Sequence, residues 1–292
     1  MSATPTSTPG ASLERKPLDE ELDVYGLTHP GKVRPTNQDH FLLASLHKRM
    51  DIHLTSLPDV SELKRESERL AFFAMIADGV ARSARGGLAS RLAVEGITQY
   101  VTRSLHCYYG TDPHDASFID VLQQAALHTH TEVLRHGEKD PELAGMATTL
   151  TVFIGVWPWA YVVQVGDSRY YVFREGELLR ITRDQTLAQE LVDQGTLRRT
   201  DALRSPLANV LSSSIGGPQT APVVTRLQAD WRNVHLLCSD GLTKHVSDEG
   251  IKQRLATMTS AKQACEALLQ DALDGGGSDN ITIIVGRAVR RE

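Results

Sequence analysis

Between residues 70 and 77 the chain reads LAFFAMIA, an unbroken apolar run that fits a strand buried on both faces. Further strand-like runs occur at 23–28, 40–44, 149–157, 160–165, 170–174, 178–181, 223–227, 234–238 and 281–285. Pro158 and the pair Glu175-Gly176 each separate two such runs and read as hairpin turns. Ala89, Leu92, Ala93, Ile97, Tyr100, Val101 and Leu105 recur at spacings of three and four, which predicts an amphipathic helix over 87–105. Phe118, Val121, Leu122, Ala125 and Val133 predict a second helix. Two more are expected at 248–257, capped by Ser247-Asp248, and at 261–273. Strand hairpins with paired helices, rather than strict βαβ alternation, indicate an α+β fold with mainly antiparallel sheet.

Residues 1–21 are rich in Thr, Ser and Pro, so a disordered tail is expected there, followed by one domain over 22–292. Composition adds mainly exclusions. Of the 292 residues 41% are hydrophobic and 23% charged, ordinary for a globular chain, and the net charge of −5 offers no basic field for nucleic acid. The three cysteines, Cys107, Cys238 and Cys265, lie far apart, which argues against a zinc ribbon or a disulfide framework. No signal-peptide pattern and no membrane-length apolar run is present, so a cytoplasmic protein is expected.

The candidate chemistry lies where strands end. Asp78 follows AFFAMIA, Asp167 follows YVVQVG, Asp240 follows VHLLCS, and Asp279 leads into the strand ITIIV. Gly79, Gly166 and Gly241 flank three of them, which lets the backbone turn sharply close to a ligand. Each Asp-Gly pair alone is an ordinary turn. Gathered together, such carboxylates need a compensating cation, and oxygen ligands suit Mg²⁺ or Mn²⁺. Spacing alone leaves turn and metal site both open.

The segments GKVRPTNQD (31–39), IADGV (76–80), GLAS (87–90), GMATTL (145–150), VGDSRYY (165–171), ITRDQT (181–186), NVLSSSIG (209–216), LLCSDGL (236–242) and SDNIT (278–282) occur in that order. Together they resemble the bacterial type of the metal-dependent (PPM, type 2C) protein serine/threonine phosphatases. The resemblance implies an αββα sandwich of two antiparallel sheets flanked by paired helices, with a centre of two Mn²⁺ or Mg²⁺ ions at one end. It implies that Asp78 bridges the ions, that the Gly79 carbonyl binds the second, and that Asp240 and Asp279 complete the shell of the first ion. Asp39 would hold the second ion and Asp167 a third, weaker one. Arg34 would clamp the phosphate, since its planar fork matches phosphoryl oxygens. The implied reaction is hydrolysis of phosphoserine or phosphothreonine by direct attack of a metal-bridging water. The implied partners are phosphorylated proteins and a cognate Ser/Thr kinase, with the chain acting as a monomer.

Several positions depart from the family pattern. Ala81-Arg82 replace a glycine pair, Gly87 stands where an acidic residue is usual, and Val80 replaces a histidine that acts as general acid in some members. Gln38 and Gln185 replace a frequent glutamate and histidine. The altered loop motivates an alternative reading, a pseudophosphatase that binds phosphoproteins or a kinase without turnover. Residues 185–216 correspond to a flap beside the site, and 45–69 is a longer connection than a hairpin needs, read as a solvated insertion. His128, His130 and His136 lack an HExxH pattern and read as a helix face.

Overall fold

The structure, a computed structural model, describes residues 15–48, 56, 68–80, 85–103, 116–202 and 204–290. The apolar run near residue 70 lies in β3 (Glu68–Ala77). Ala71, Phe73, Met75 and Ala77 join a cluster shared with helices, while Ala74 and Ile76 face the opposite way, into a second cluster. This is the period of two that a pleated strand imposes, with apolar side chains on both faces. Its sheet has the order β2-β3-β4-β5-β8, with β2 (His40–Lys48), β4 (Leu150–Val156), β5 (Trp159–Val165) and β8 (Val223–Gln228). The other sheet has the order β1-β10-β9-β6-β7, with β1 (Leu22–His29), β10 (Ile281–Ala288), β9 (Val234–Cys238), β6 (Arg169–Arg174) and β7 (Glu177–Arg180). Every strand pairing is antiparallel.

Helices α1 (Arg85–Arg103) and α2 (Ala116–Lys139) cover the outer face of the first sheet, where Ala89, Ala93 and Ile97 pack with Leu122, Met75 and Val152. The sequence-predicted stripe of α1 is therefore its buried face. Short helices α3 (Leu187–Asp193) and α4 (Arg199–Ala202) lie in the expected flap, and α5 (Asp240–Thr243) follows β9 directly. Helices α6 (Asp248–Ala256) and α7 (Ala261–Asp274) cover the second sheet through Ile251, Leu255, Ala264 and Leu268. Ser247 caps α6 by accepting from Gly250 N at 3.2 Å, as its sequence position predicts. The inner faces of the two sheets meet through Ala74, Ile76, Val162, Tyr170, Leu237 and Ile284. The result is the expected α+β sandwich of two antiparallel sheets with helices on both outer faces.

Turn chemistry also follows the sequence. Glu175 and Gly176 both take positive φ, 52° and 84°, as a two-residue hairpin turn between β6 and β7 requires. The expected tail reaches the described residues only at 15–21, where Glu21 is buried and pairs with Arg15. Residues 49–55 and 57–67, most of the expected insertion, lie outside the described residues, as do Cys107 and the altered stretch 81–84. Cys238 and Cys265 are free and buried. Among the described residues no helix is long and apolar enough to cross a membrane.

Candidate metal centre

The aspartates converge because the strands that carry them end at the same edge of the sandwich. Asp39 precedes β2, Asp78 follows β3 and Asp167 follows β5 in one sheet, while Asp240 follows β9 and Asp279 precedes β10 in the other. Their proximity is electrostatic as well as topological. The Asp78 carboxyl is held well above the usual range, first by burial and then by the charges of Asp39, Asp240, Asp167 and Asp279. Burial, with the Asp240 and Asp184 charges, pushes Asp167 up to about 8. Asp240 is also raised, by burial against the opposing pull of Lys244. Three carboxylates that resist ionisation mark a centre short of positive charge.

Local hydrogen bonds hold each acid in place, and several explain the motifs around them. Asp78 N donates to Thr149 Oγ1 at 3.0 Å, and its carbonyl accepts from Thr149 N at 2.9 Å and from Thr148 Oγ1 at 2.8 Å. The GMATTL segment thus fixes the Asp78 backbone from the neighbouring strand. Gly79 packs against the start of α1, where a Cβ would lie 2.5 Å from the Gly86 carbonyl oxygen, so only glycine fits. Gly166, at φ 103°, turns the chain into Asp167 and is clamped by Gln185, whose Oε1 accepts from Gly166 N at 2.7 Å. Gln185 therefore has a structural task in this chain. Arg85, at the start of α1, donates to the Ala144 carbonyl at 2.9 Å.

Asp39 is 4% exposed. Its Oδ2 accepts from Thr282 Oγ1 at 2.6 Å, whereas its Oδ1 is buried with no partner. Burial is the largest influence on this carboxyl and leaves it at about 6, despite hydrogen bonds from Thr282, Ser239 and Asp78. An orphaned, buried carboxylate oxygen facing other carboxylates is a vacancy in the bonding scheme that a cation would satisfy.

Arg34 joins the cluster on the loop before Asp39. Asn280 fastens that loop, donating from Nδ2 to the Pro30 and Thr36 carbonyls at 3.0 Å each and accepting from Gln38 N at 2.9 Å. Arg34 Nε and Nη2 donate to Asp279 Oδ1 and Oδ2 at 2.7 and 2.9 Å. A second cation, absent from the sequence reading, is Lys244, whose Nζ lies 2.6 Å from Asp240 Oδ2 and 2.8 Å from Asp279 Oδ2. Burial tends to raise Asp279, but hydrogen bonds from Arg34 and Lys244 and their charges outweigh it and hold this carboxyl below its usual range. Among the described residues no three acids, histidines or cysteines close on a single point as a finished metal site. The physical reason is in these contacts: both Asp279 oxygens and one Asp240 oxygen are drawn to side-chain cations. The donor set nevertheless fits hard divalent ions, being all oxygen, crowded and short of positive charge.

Beneath the acids, Arg169 donates from Nε and Nη2 to Asp184 at 3.0 and 2.7 Å, both side chains less than a fifth exposed. The pair ties ITRDQT to β6. His130, one of the helix histidines, accepts from Gly216 N at 3.0 Å and so supports the flap's far end rather than any metal.

The family model for protein phosphatase 2C matches residues 58–275. The serine/threonine protein phosphatase PstP of Mycobacterium tuberculosis is 33% identical over 214 residues, covering 73% of this chain; the chain spans 40% of that relative's length. The serine/threonine phosphatase stp of Listeria monocytogenes is 28% identical over 213 residues, covering 72% of this chain and 82% of that protein. The crystal structure of the catalytic domain of a serine/threonine protein phosphatase PstP in complex with two manganese ions superposes with a TM-score of 0.70 at 28% identity, covering 92% of this chain and 99% of that one. With three quarters of its length matched and the sandwich shared, this chain belongs to the protein phosphatase 2C family.

Proposed function

We propose that the chain is a metal-dependent protein serine/threonine phosphatase. The observation that carries this reading is the convergence of Asp39, Asp78, Asp167, Asp240 and Asp279 at one end of the sandwich, with the pKa values of the first four raised and Asp39 Oδ1 unpartnered. Asp78 and the Gly79 carbonyl, with Asp240 and Asp279, would hold two Mn²⁺ or Mg²⁺ ions, Asp39 would support the second, and Asp167 is the candidate for a third. Such ions, when bound, lower the pKa of water enough to supply hydroxide near neutral pH and stabilise charge on phosphoryl oxygens.

The chain's own residues would do the rest. Arg34 sits at the exposed edge of the cluster, with 46% of its side chain accessible, and can exchange a carboxylate acceptor for a phosphoryl oxygen. The raised acids would release protons as cations replace them. Val80 is exposed and has no proton to give, so the leaving alkoxide of the serine or threonine would take its proton from solvent in the cleft. Phosphorylated Ser/Thr proteins are the proposed substrates, and a cognate Ser/Thr kinase and its targets the proposed setting.

The test is hydrolysis of a phosphothreonine peptide. Activity should require Mn²⁺, vanish with EDTA, and fall by about three orders of magnitude or more in Asp78→Asn, on the scale of losing a main charge-stabilising group. Folded protein that binds Mn²⁺ yet gives no turnover would refute the enzyme reading in favour of a phosphoprotein-binding role.

A further inference from the structure

In DGLTK the lysine stands four residues after Asp240. Helix α5 turns that spacing into contact: Lys244 N donates to the Asp240 carbonyl at 2.8 Å, and the side chain folds back along the same turn. Its ammonium then bridges Asp240 and Asp279, two acids from adjacent strands of one sheet, and its charge also reaches Asp167. An ammonium has three donors and no acceptor, so it occupies lone pairs of the kind a divalent ion would use. A divalent ion on the same carboxylate oxygens would lie within a few Å of the ammonium, and like charges at that separation repel strongly.

The cluster's charge explains why a lysine belongs there. When fully ionised, Asp39, Asp78, Asp167, Asp240 and Asp279 carry five negative charges, against which the described residues set hydrogen bonds from two cations, Arg34 and Lys244. Arg169 also acts on Asp240 but is itself paired with Asp184. Among the described residues Arg34 bonds to Asp279, and Lys244 spans Asp240 and Asp279. Lys244 is also freer to leave than Arg169. Its side chain is 30% exposed on a flexible four-carbon stem, whereas Arg169, 17% exposed, is locked by Asp184 and by Tyr171 Oη at 3.1 Å.

We propose that Lys244 is a resident counter-ion of the Asp240–Asp279 pair that a divalent cation must displace. The side chain then has two effects of opposite sign. It stabilises the metal-free fold, and it weakens divalent-ion binding by competing for the same oxygens. This inference rests on the metal reading of the site.

The experiment is calorimetric titration of EDTA-stripped full-length protein with Mn²⁺, paired with thermal unfolding in EDTA, for the wild type, Lys244→Met and Lys244→Arg. Lys244→Met should bind Mn²⁺ roughly tenfold or more tightly than the wild type, the scale of releasing two charge-assisted hydrogen bonds, and its metal-free form should melt at a lower temperature. Lys244→Arg should stay near the wild type in both. A lower melting temperature with an unchanged Mn²⁺ dissociation constant would mean a merely structural lysine and would overturn the proposal. So would weaker binding by Lys244→Met. If the wild type itself bound no Mn²⁺, the metal reading would fail and this inference with it. Should Lys244→Met not fold, Lys244→Gln, neutral but polar, gives the same comparison.

Discussion

Asp39→Asn offers a direct measure of the strain that the acid cluster carries without metal. The wild-type carboxyl is 4% exposed, has one oxygen unpartnered, and is raised from 3.8 to about 6, chiefly by burial. A group whose folded pKa lies above its unfolded value contributes fully below the unfolded value, and that contribution is lost as pH rises through the folded one. Here the window runs from about 4 to about 6. A rise of about two pKa units corresponds to about 3 kcal/mol of stability missing above pH 7. The asparagine has no such charge, and its amide can accept from Thr282 and donate toward Asp78.

In urea unfolding with EDTA at pH 7.5, Asp39→Asn should therefore be more stable than the wild type by about 2–3 kcal/mol, allowing for imperfect amide geometry. The gap should shrink to about 1 kcal/mol at pH 4.5. Saturating Mn²⁺ should reverse the ranking, because the wild type gains more from a cation than the variant does. A variant no more stable than the wild type at pH 7.5, or a gain that ignores pH, would refute the account of Asp39 as an uncompensated buried acid.

Two further substitutions probe the scaffold. Gly241→Ala places a Cβ 1.9 Å from the Asn280 carbonyl oxygen, a clash between two backbones that no rotamer relieves. A loss of more than about 3 kcal/mol, or failure to yield soluble protein, is expected, and a urea curve like the wild type's would contradict the close approach of α5 to the start of β10. Asp184→Asn takes from the Arg169 guanidinium its hydrogen-bonded carboxylate, leaving Asp248 at 4.0 Å as the next charge. A loss of about 3 kcal/mol is expected at pH 7.5, with Arg169→Met/Asp184→Leu milder than the single change, as a double-mutant cycle in urea would read.

Much of the fold was legible because its signals are local. Period-two and period-four patterns of apolar residues place β3, β4, β9, α1 and α7 within a few residues, since the same burial that writes the pattern also builds the layers. The centre was legible in a different way. Nothing in spacing says that Asp78 and Asp240 meet, for they lie in different sheets; their convergence entered through the ordered motifs. Lys244 was missed because α5 is one turn long, too short to leave a hydrophobic period. The available signal was the four-residue spacing from Asp240 to Lys244, which pairs opposite charges on any helical turn. The supporting hydroxyls Thr149 and Thr282 stand outside any local rule, since each bonds to an acid more than 70 residues away.

The two-sheet origin of the acids gives the centre a mechanical meaning. Asp39 and Asp78 leave one sheet, Asp240 and Asp279 the other, and between the sheets lies an apolar layer beside which Tyr170 Oη meets His235 Nδ1 at 2.6 Å. Burial pushes His235 down to about 4, so that imidazole is neutral and adds no charge to the layer. Apolar packing pulls the sheets together along their length, while ionised carboxylates push them apart at one end. Burial disfavours the charged forms of Asp78 and Asp167, and Arg34 and Lys244 draw on Asp279 and Asp240, which eases that repulsion. A cation held among acids of both sheets would replace repulsion by a cross-link at the one edge where apolar packing ends. Metal binding would for that reason be linked to the packing of the two sheets at that edge, and Lys244, held by Asp240 and Asp279, would compete with it.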